Sequence, residues 1–392
     1  MSLVIVQPET AAAGSLFKFE IVWHLLTGHV SLITLKIEAK EEIWPLKEVL
    51  RISRGSRTET RVVVVTVRDG EHVGRGEGVP IARYNQSCAS VIEQIEPIKR
   101  EKNLDRQLLQ NLLPAGAARN ALDCALWDLE AKRSSKRVWE LANFQMPYCS
   151  LRPVGDAHAS HSEAATSNPC DLDFVETSFT ISLDNPEKMA AAAKRYFESP
   201  RARGEPPGPL KLKLYGSDDV DLARVRAVRE VAPAARLIID TNESWSVEQY
   251  RQIAPPLKEL GVAMIEQPFP VDADDVLQTL DHPIPICADE SCHTTADLPC
   301  LKNRYEVINV KLDKTGGLTE ALQLCQRARE NDFKLLIGCM VCTSLSIAPA
   351  RLLASNADWV DLDGPLLLAK DREHGLYYYN GRVGIPSREL WG

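Results

Sequence analysis

What this chain of 392 residues lacks narrows it first. It has no surplus of positive charge. Its 46 lysines and arginines face 54 aspartates and glutamates, a net charge of −8, which argues against a nucleic-acid partner. It has no long apolar run: Leu16 to Leu26 carries Lys18, Glu20 and His24, too short and too charged for a membrane span. No signal-peptide layout precedes that stretch. Ten cysteines occur without metal-finger spacing, several inside apolar runs (Cys124, Cys287, Cys325, Cys339). They are expected to be free thiols packed as small hydrophobes, in a reducing, cytoplasmic setting. The run Val73-Gly74-Arg75-Gly76-Glu77-Gly78 lacks the Lys-Ser/Thr of a phosphate loop. With 44% hydrophobic and 26% charged residues, what remains is the composition of a soluble globular enzyme. It is long enough for a barrel and a second module.

The pattern along the chain divides it. Residues 1–31 precede the first clear strand and form an extension with no assigned role. Residues 32–148 are expected to be an α+β module. Strands over 33–39, 61–67 and 73–78 are followed by helices over 87–98, 105–113 and 117–132, the last with Ala121, Leu122, Ala125, Leu126 and Leu129 on one face. Residues 149–172 are polar and turn-rich, an insert. Between 173 and 365, strands over 175–182, 210–215, 236–241, 263–267, 284–288, 307–312, 334–339 and 359–362 alternate with seven helical stretches. A second, proline-rich insert spans 201–209. The predicted fold class is α/β: a (β/α)7β modified TIM barrel with an α+β N-terminal capping domain, completed by residues 366–392.

Three of these strands end in acids: Leu237-Ile238-Ile239-Asp240, Ala263-Met264-Ile265-Glu266 and Ile286-Cys287-Ala288-Asp289. The spacings of 26 and 23 residues are each about one strand–helix unit, so the three carboxylates converge at one end of a barrel. Any one alone reads as a helix cap or turn residue; at one register they suit a hard divalent cation. Asn242 and Glu290 lie beside them as supporting groups. Lys211 and Lys213 are two apart on one strand, hence on one face, and Lys311 ends the strand after Asp289. Lys213 and Lys311 face each other across the metal and can exchange a proton with a carbon acid held between them. Their pKa is expected to fall toward neutrality, pushed by Lys211 and the cation. Asp361 and Asp363 share a face and suit an ammonium group. Arg51, Arg54 and Arg57 lie in a loop, solvated or gripping a substrate carboxylate.

These residues together resemble the muconate-lactonizing branch of the enolase superfamily. The runs Arg54-Gly55-Ser56-Arg57, Pro114 to Asp123, Ile286 to Thr294, Ile308 to Leu318 and Asp361-Leu362-Asp363-Gly364-Pro365 are most similar to its dipeptide epimerases acting on L-Ala-D/L-Glu, in the form found in enteric bacteria. The resemblance covers residues 33–392 apart from the two inserts. It implies one Mg2+ per site held by Asp240, Glu266 and Asp289, with Lys213 and Lys311 as paired bases and Lys211 neutralising the enolate. Arg57 would take the glutamate side chain, and Asp361 with Asp363 the dipeptide ammonium. The implied reaction is a 1,1-proton transfer inverting the α-carbon of the second residue through a metal-stabilised enolate. Leu345 stands where the enteric form has an arginine and predicts wider acceptance of apolar second residues.

The runner-up within the branch is a lyase or cycloisomerase, such as o-succinylbenzoate synthase or muconate cycloisomerase, whose substrates have little use for Asp361-Leu362-Asp363. A mandelate-racemase-type dehydratase is disfavoured because strand seven carries no histidine. A non-catalytic binding protein would leave no reason for every catalytic position to be filled. The partner implied is a small dipeptide, with no nucleic acid or membrane; homo-oligomerisation is left open.

Overall fold

The computed structural model describes residues 35–143, 174–198, 208–216 and 220–392. The extension 1–31, the insert 149–172 and most of the 201–209 insert lie outside the described residues.

Valine-rich alternation builds the first module. β1 (Lys36–Ile52) and β2 (Gly55–Asp69) form a long antiparallel ribbon, and β3 (His72–Gly78) pairs with β2. These strands are longer than the 33–39 and 61–67 expected from the sequence, and β1 runs through Pro45. The proline is tolerated because β1 is an edge strand whose register shifts between Pro45 and Leu50. The ribbon therefore runs on to a tip at Ser53-Arg54. α1 (Cys88–Ile98) opens on a Ser87 capping box and α2 (Arg106–Leu112) on an Asp105 cap. α3 (Ala117–Ser134) lies directly on β3, because a Cβ at Gly76 would stand 2.2 Å from the Ala121 carbonyl oxygen. α4 (Val138–Leu141) ends the module, whose core joins Val63, Val65 and Val67 to Ile95, Leu122 and Leu126.

β4 (Phe174–Glu176) comes next, then eight parallel strands in chain order: β5 (Phe179–Ile181), β6 (Leu210–Lys213), β7 (Leu237–Asp240), β8 (Val262–Glu266), β9 (Ile286–Ala288), β10 (Val307–Val310), β11 (Lys334–Gly338) and β12 (Trp359–Asp361). The Ser178 N–H donates to the Val360 carbonyl at 2.9 Å, joining the first strand to the last. α5 (Pro186–Glu198), α6 (Asp221–Val231) and α7 (Val247–Glu259) follow β5, β6 and β7. β8 is followed only by a 3-10 turn (Asp274–Thr279) and β9 by the short α8 (Leu298–Leu301). Two of the seven expected helices are thus reduced, where Pro268, Pro270, Pro283, Pro285 and Pro299 remove backbone donors. α9 (Leu312–Thr315) and α10 (Leu318–Glu330) follow β10, and α11 (Ser344–Ala354) follows β11.

The tail touches both modules. β13 (Tyr378–Tyr379) and β14 (Arg382–Gly384) form a hairpin paired with β4, Leu368 bridges Leu46, and Trp391 Nε1 donates to the Cys124 carbonyl at 3.0 Å. Two buried acids also stitch the modules together. Glu77 on β3 accepts from the Thr343 N–H at 2.9 Å and from Arg372 at 2.8 Å. Asp313 accepts from the Val79 N–H at 2.8 Å and from Asn120 Nδ2 at 2.7 Å. Among the described residues no helix is long and apolar enough to cross a membrane.

Candidate active site

Strand register sets the floor of the barrel mouth. Lys213 pairs with Asp240 across β6 and β7, and Asp240 with Glu266 across β7 and β8, so all three stand at one level. Asp289 and Lys311 follow directly after β9 and β10. Asp240 and Glu266 are fully buried, Lys211, Asp289 and Lys311 nearly so. Such burial of charge persists only when paired.

Here the pairing is dense. Lys211 Nζ lies 2.8 Å from Glu266 Oε2, 2.8 Å from Asp361 Oδ2 and 3.3 Å from Asp240 Oδ2. Lys213 Nζ is 2.5 Å from Asp240 Oδ2 and 3.3 Å from Asn242 Oδ1. Lys311 Nζ is 2.6 Å from Asp289 Oδ2 and 3.9 Å from Glu266 Oε1. The expectation of a lowered pKa is not met at Lys311, and Lys211 beside it behaves in the same way. Burial disfavours their charge, but the surrounding carboxylates outweigh it and raise both well above the ordinary value.

The acids divide in the opposite sense. Burial works against Asp240, yet Lys213 and Lys211 hold its carboxyl well below the usual range, as Lys311 and Lys314 do for Asp289. Burial and the neighbouring Asp240 charge push Glu266 up to about 7. Glu266 is thus the acid that these lysines hold least firmly in its charged form. Glu266 Oε2 and Asp289 Oδ1 are buried and accept no well-angled hydrogen bond, touching only the ammonium groups of Lys211 at 2.8 Å and Lys314 at 2.7 Å. Such an oxygen-only donor set fits a hard divalent cation. Among the described residues the carboxylates do not stand as a ready metal-holding group, because lysine heads lie between them.

Above this floor lies a cavity of about 880 Å3, lined by Lys211, Lys213, Asp289, Lys311, Asp361 and Asp363, with Arg54, Arg57, Tyr84, Asn242 and Glu290 on its walls. Asp240 and Glu266 sit beneath the lysine heads and do not line it. Asp361 accepts from Lys211 and from the Ser178 hydroxyl, and Asp363 from the Thr180 N–H at 2.6 Å. Burial and the Asp361 charge push Asp363 up to about 7. The loop arginines separate into three roles. Arg51 pairs with Asp184, and Arg54 reaches Glu290 Oε1 at 2.7 Å, Glu243 Oε2 at 3.0 Å and the Asn242 carbonyl at 3.1 Å. Arg57 has no ion pair among the described residues and faces the cavity. Leu345 is 1% exposed, packs inward from the first turn of α11 and is not among the residues that line the cavity.

Sequence reasoning missed Asn309, whose Nδ2 donates to Glu266 Oε1 at 2.9 Å. The signal was a lone amide in Val307-Ile308-Asn309-Val310, two residues before Lys311 and so on the same face. It also gave no role to Gln267 or to Ser178.

Residues 34–142 match the model of the mandelate racemase/muconate lactonizing enzyme N-terminal domain, and residues 187–389 that of the enolase C-terminal domain-like family. The chain belongs to the mandelate racemase/muconate lactonizing family. Within this family, the L-Ala-D/L-Glu epimerase of Escherichia coli (strain K12) is 42% identical over 351 residues, 89% of this chain and 99% of its own. An N-acetyl-D-glutamate racemase of Pseudoalteromonas sp. is 41% identical over 335 residues, 84% of this chain and 95% of its own. A solved enolase family member from Agrobacterium tumefaciens, with homology to dipeptide epimerases and with bound sodium and L-Ala-L-Glu, is 41% identical with a TM-score of 0.78, covering 91% of this chain and 100% of that one. The dipeptide epimerase of Methylococcus capsulatus, solved with Mg and L-Arg-D-Lys, is 28% identical with a TM-score of 0.75, covering 91% and 98%.

Proposed function

We propose that this family member is a magnesium-dependent dipeptide epimerase that inverts the α-carbon of the second residue of L-Ala-D/L-Glu. The observation that carries the reading is one cavity with Lys213 and Lys311 entering from β6 and β10, two strands on either side of the acidic β7–β9 ends. A carbon acid held between them meets one amine on each face. Lys213 takes the α-proton from one epimer as a neutral amine, and Lys311, as the ammonium, returns a proton to the opposite face; the reverse reaction exchanges the roles. Lys211 stays cationic beneath them and offsets charge that develops on the substrate carboxylate. Asp240, Glu266 and Asp289 would hold magnesium, which would supply positive charge to offset these acids and to polarise the substrate carboxylate. Arg57 meets the side-chain carboxylate from the ribbon, and Asp361 with Asp363 meets the ammonium.

A second reading, racemisation of an N-acylated amino acid, is favoured by the Pseudoalteromonas relative and by the state of the acid pair. Asp361 is already satisfied by Lys211 and Ser178, and Asp363 titrates near neutrality. The test follows the α-proton NMR signal of L-Ala-L-Glu and of N-acetylglutamate in D2O with Mg2+. Exchange and epimerisation of the dipeptide, with the N-acetyl compound inert, is the expected result. Turnover of the N-acetyl compound alone would overturn the dipeptide assignment.

A further inference from the structure

The ends of the three acid-bearing strands meet at a residue to which the mechanism gives no work. Gln267 follows Glu266 and is fully buried. Its φ of 37° lies in the left-handed region, uncommon for a residue with a side chain. Asn242 and Glu243, just past Asp240, share that region at 46° and 68°. Strain of this kind persists where surrounding bonds over-determine it.

Those bonds reach all three strand ends. The Gln267 carbonyl accepts from Thr241 Oγ1 at 2.8 Å and from the Glu243 N–H at 2.9 Å, both in the loop beyond Asp240. Its own N–H donates to the Cys287 carbonyl at 2.9 Å on β9. Its side-chain Oε1 accepts from the Asp289 N–H at 2.9 Å and the Ser291 N–H at 3.2 Å. Nε2 lies 3.0 Å from the Phe269 carbonyl, 2.8 Å from Ser291 Oγ and 3.0 Å from Tyr305 Oη. The two N–H donors on one side and the carbonyl on the other fix which way the amide points. Asp274 holds the outer partners, with Tyr305 Oη at 2.6 Å and Ser291 Oγ at 2.5 Å from its Oδ2.

We propose that Gln267 is a positioning residue that sets the spacing of Asp240, Glu266 and Asp289, so that the three carboxylates close on one divalent cation. It touches no reacting atom. It bonds to the backbone around two of the acids and adjoins the third, so losing its amide frees Asp289 from Glu266 while every carboxylate remains. The inference rests on the proposed metal role of those acids. Groups supporting metal ligands in this way typically contribute 10- to 100-fold in affinity.

The test uses Mn2+ as a spectroscopic probe, with affinity read by electron paramagnetic resonance and stability by thermal unfolding without metal. Gln267→Met keeps the length and removes the amide. It is expected to weaken Mn2+ binding at least about 10-fold and to broaden the spectrum of the bound ion. Tyr305→Phe removes one outer anchor and spares both N–H bonds to Oε1, so its loss should be smaller. Should Gln267→Met not fold, Tyr305→Phe combined with Ser291→Ala carries the test, with a loss exceeding either single change. A merely structural amide would lower the unfolding temperature and leave Mn2+ affinity unchanged in folded variants; that result overturns the inference while the metal site stands. Wild-type protein that fails to bind Mn2+ would instead overturn the metal reading, and this inference with it.

Discussion

The floor and the rim of the barrel mouth treat charge in opposite ways. On the floor, Lys211, Lys213 and Lys311 each touch at least one carboxylate, and the acids are buried. On the rim, Arg54 is paired with Glu290 and Glu243, whereas Arg57 stands on the ribbon exposed and without an ion pair among the described residues. A floor that is already paired is fixed before substrate arrives, which is what preorganised charge requires. An arginine left unpaired gains its partner only from what binds. The floor therefore governs whether chemistry occurs, and the rim governs on which molecule.

The largest expected effects strike the floor. Exhaustive chelation should abolish turnover and added Mg2+ restore it; full activity after chelation would dissolve the distinction between floor and rim. Lys213→Ala and Lys311→Ala should each lower epimerisation by about 10²- to 10⁴-fold, the usual contribution of a positioned acid or base. Each should still exchange the α-proton of one epimer with D2O, since the other lysine remains. A single variant epimerising at near the wild-type rate would break the two-base scheme.

The rim should respond selectively. Arg57→Met removes hydrogen bonds to a charged partner, worth about 1.5–3 kcal/mol, or roughly 10- to 100-fold in kcat/KM. The loss is expected for L-Ala-L-Glu and not for L-Ala-L-Leu. Equal losses on both would mean that Arg57 supports the ribbon rather than reading the substrate. Leu345 sharpens the point: because it turns into the core, preference for glutamate should rest on Arg57.

The floor was legible in the sequence because strand geometry is simple. Side chains alternate, strands recur at regular spacing, and an acid or lysine at a strand's end has one place to go. What was not legible depends on departures from that regularity. Gln267 lies in left-handed backbone that no periodicity announces. The ribbon continues through Pro45 because an edge strand tolerates it. The inward turn of Leu345 was not legible, because position in a loop motif says nothing about which way the first turn of a helix faces. The raised pKa values of Lys211 and Lys311 depend on how many carboxylates surround each amine, a property of three dimensions.

The smallest expected change in turnover lies below both regions, at the seam where Asp313 ties the barrel to the first module. Its Oδ1 accepts from the Val79 N–H and from Asn120 Nδ2, and the side chain is buried. Burial pushes its pKa up to about 7, against the stabilising Val79 N–H and Asn120 bonds; Glu77 adds to the rise and Lys311 opposes it. An unfolded aspartate titrates near about 3.9. Between those values the folded chain keeps a proton that the unfolded chain has lost. The stability this group contributes is therefore complete below about pH 4 and is lost as pH rises through about 7, with a slope of up to about 1.4 kcal/mol per pH unit. Asp313→Asn keeps an oxygen for both donors and cannot ionise. It should flatten this part of the stability profile between pH 4 and 7, measured by urea unfolding, and leave Lys213- and Lys311-dependent exchange close to wild type. An unchanged slope in the variant would mean that the Asp313 carboxyl is ionised in the folded protein throughout that range, and that the seam is held by charge rather than by a neutral acid.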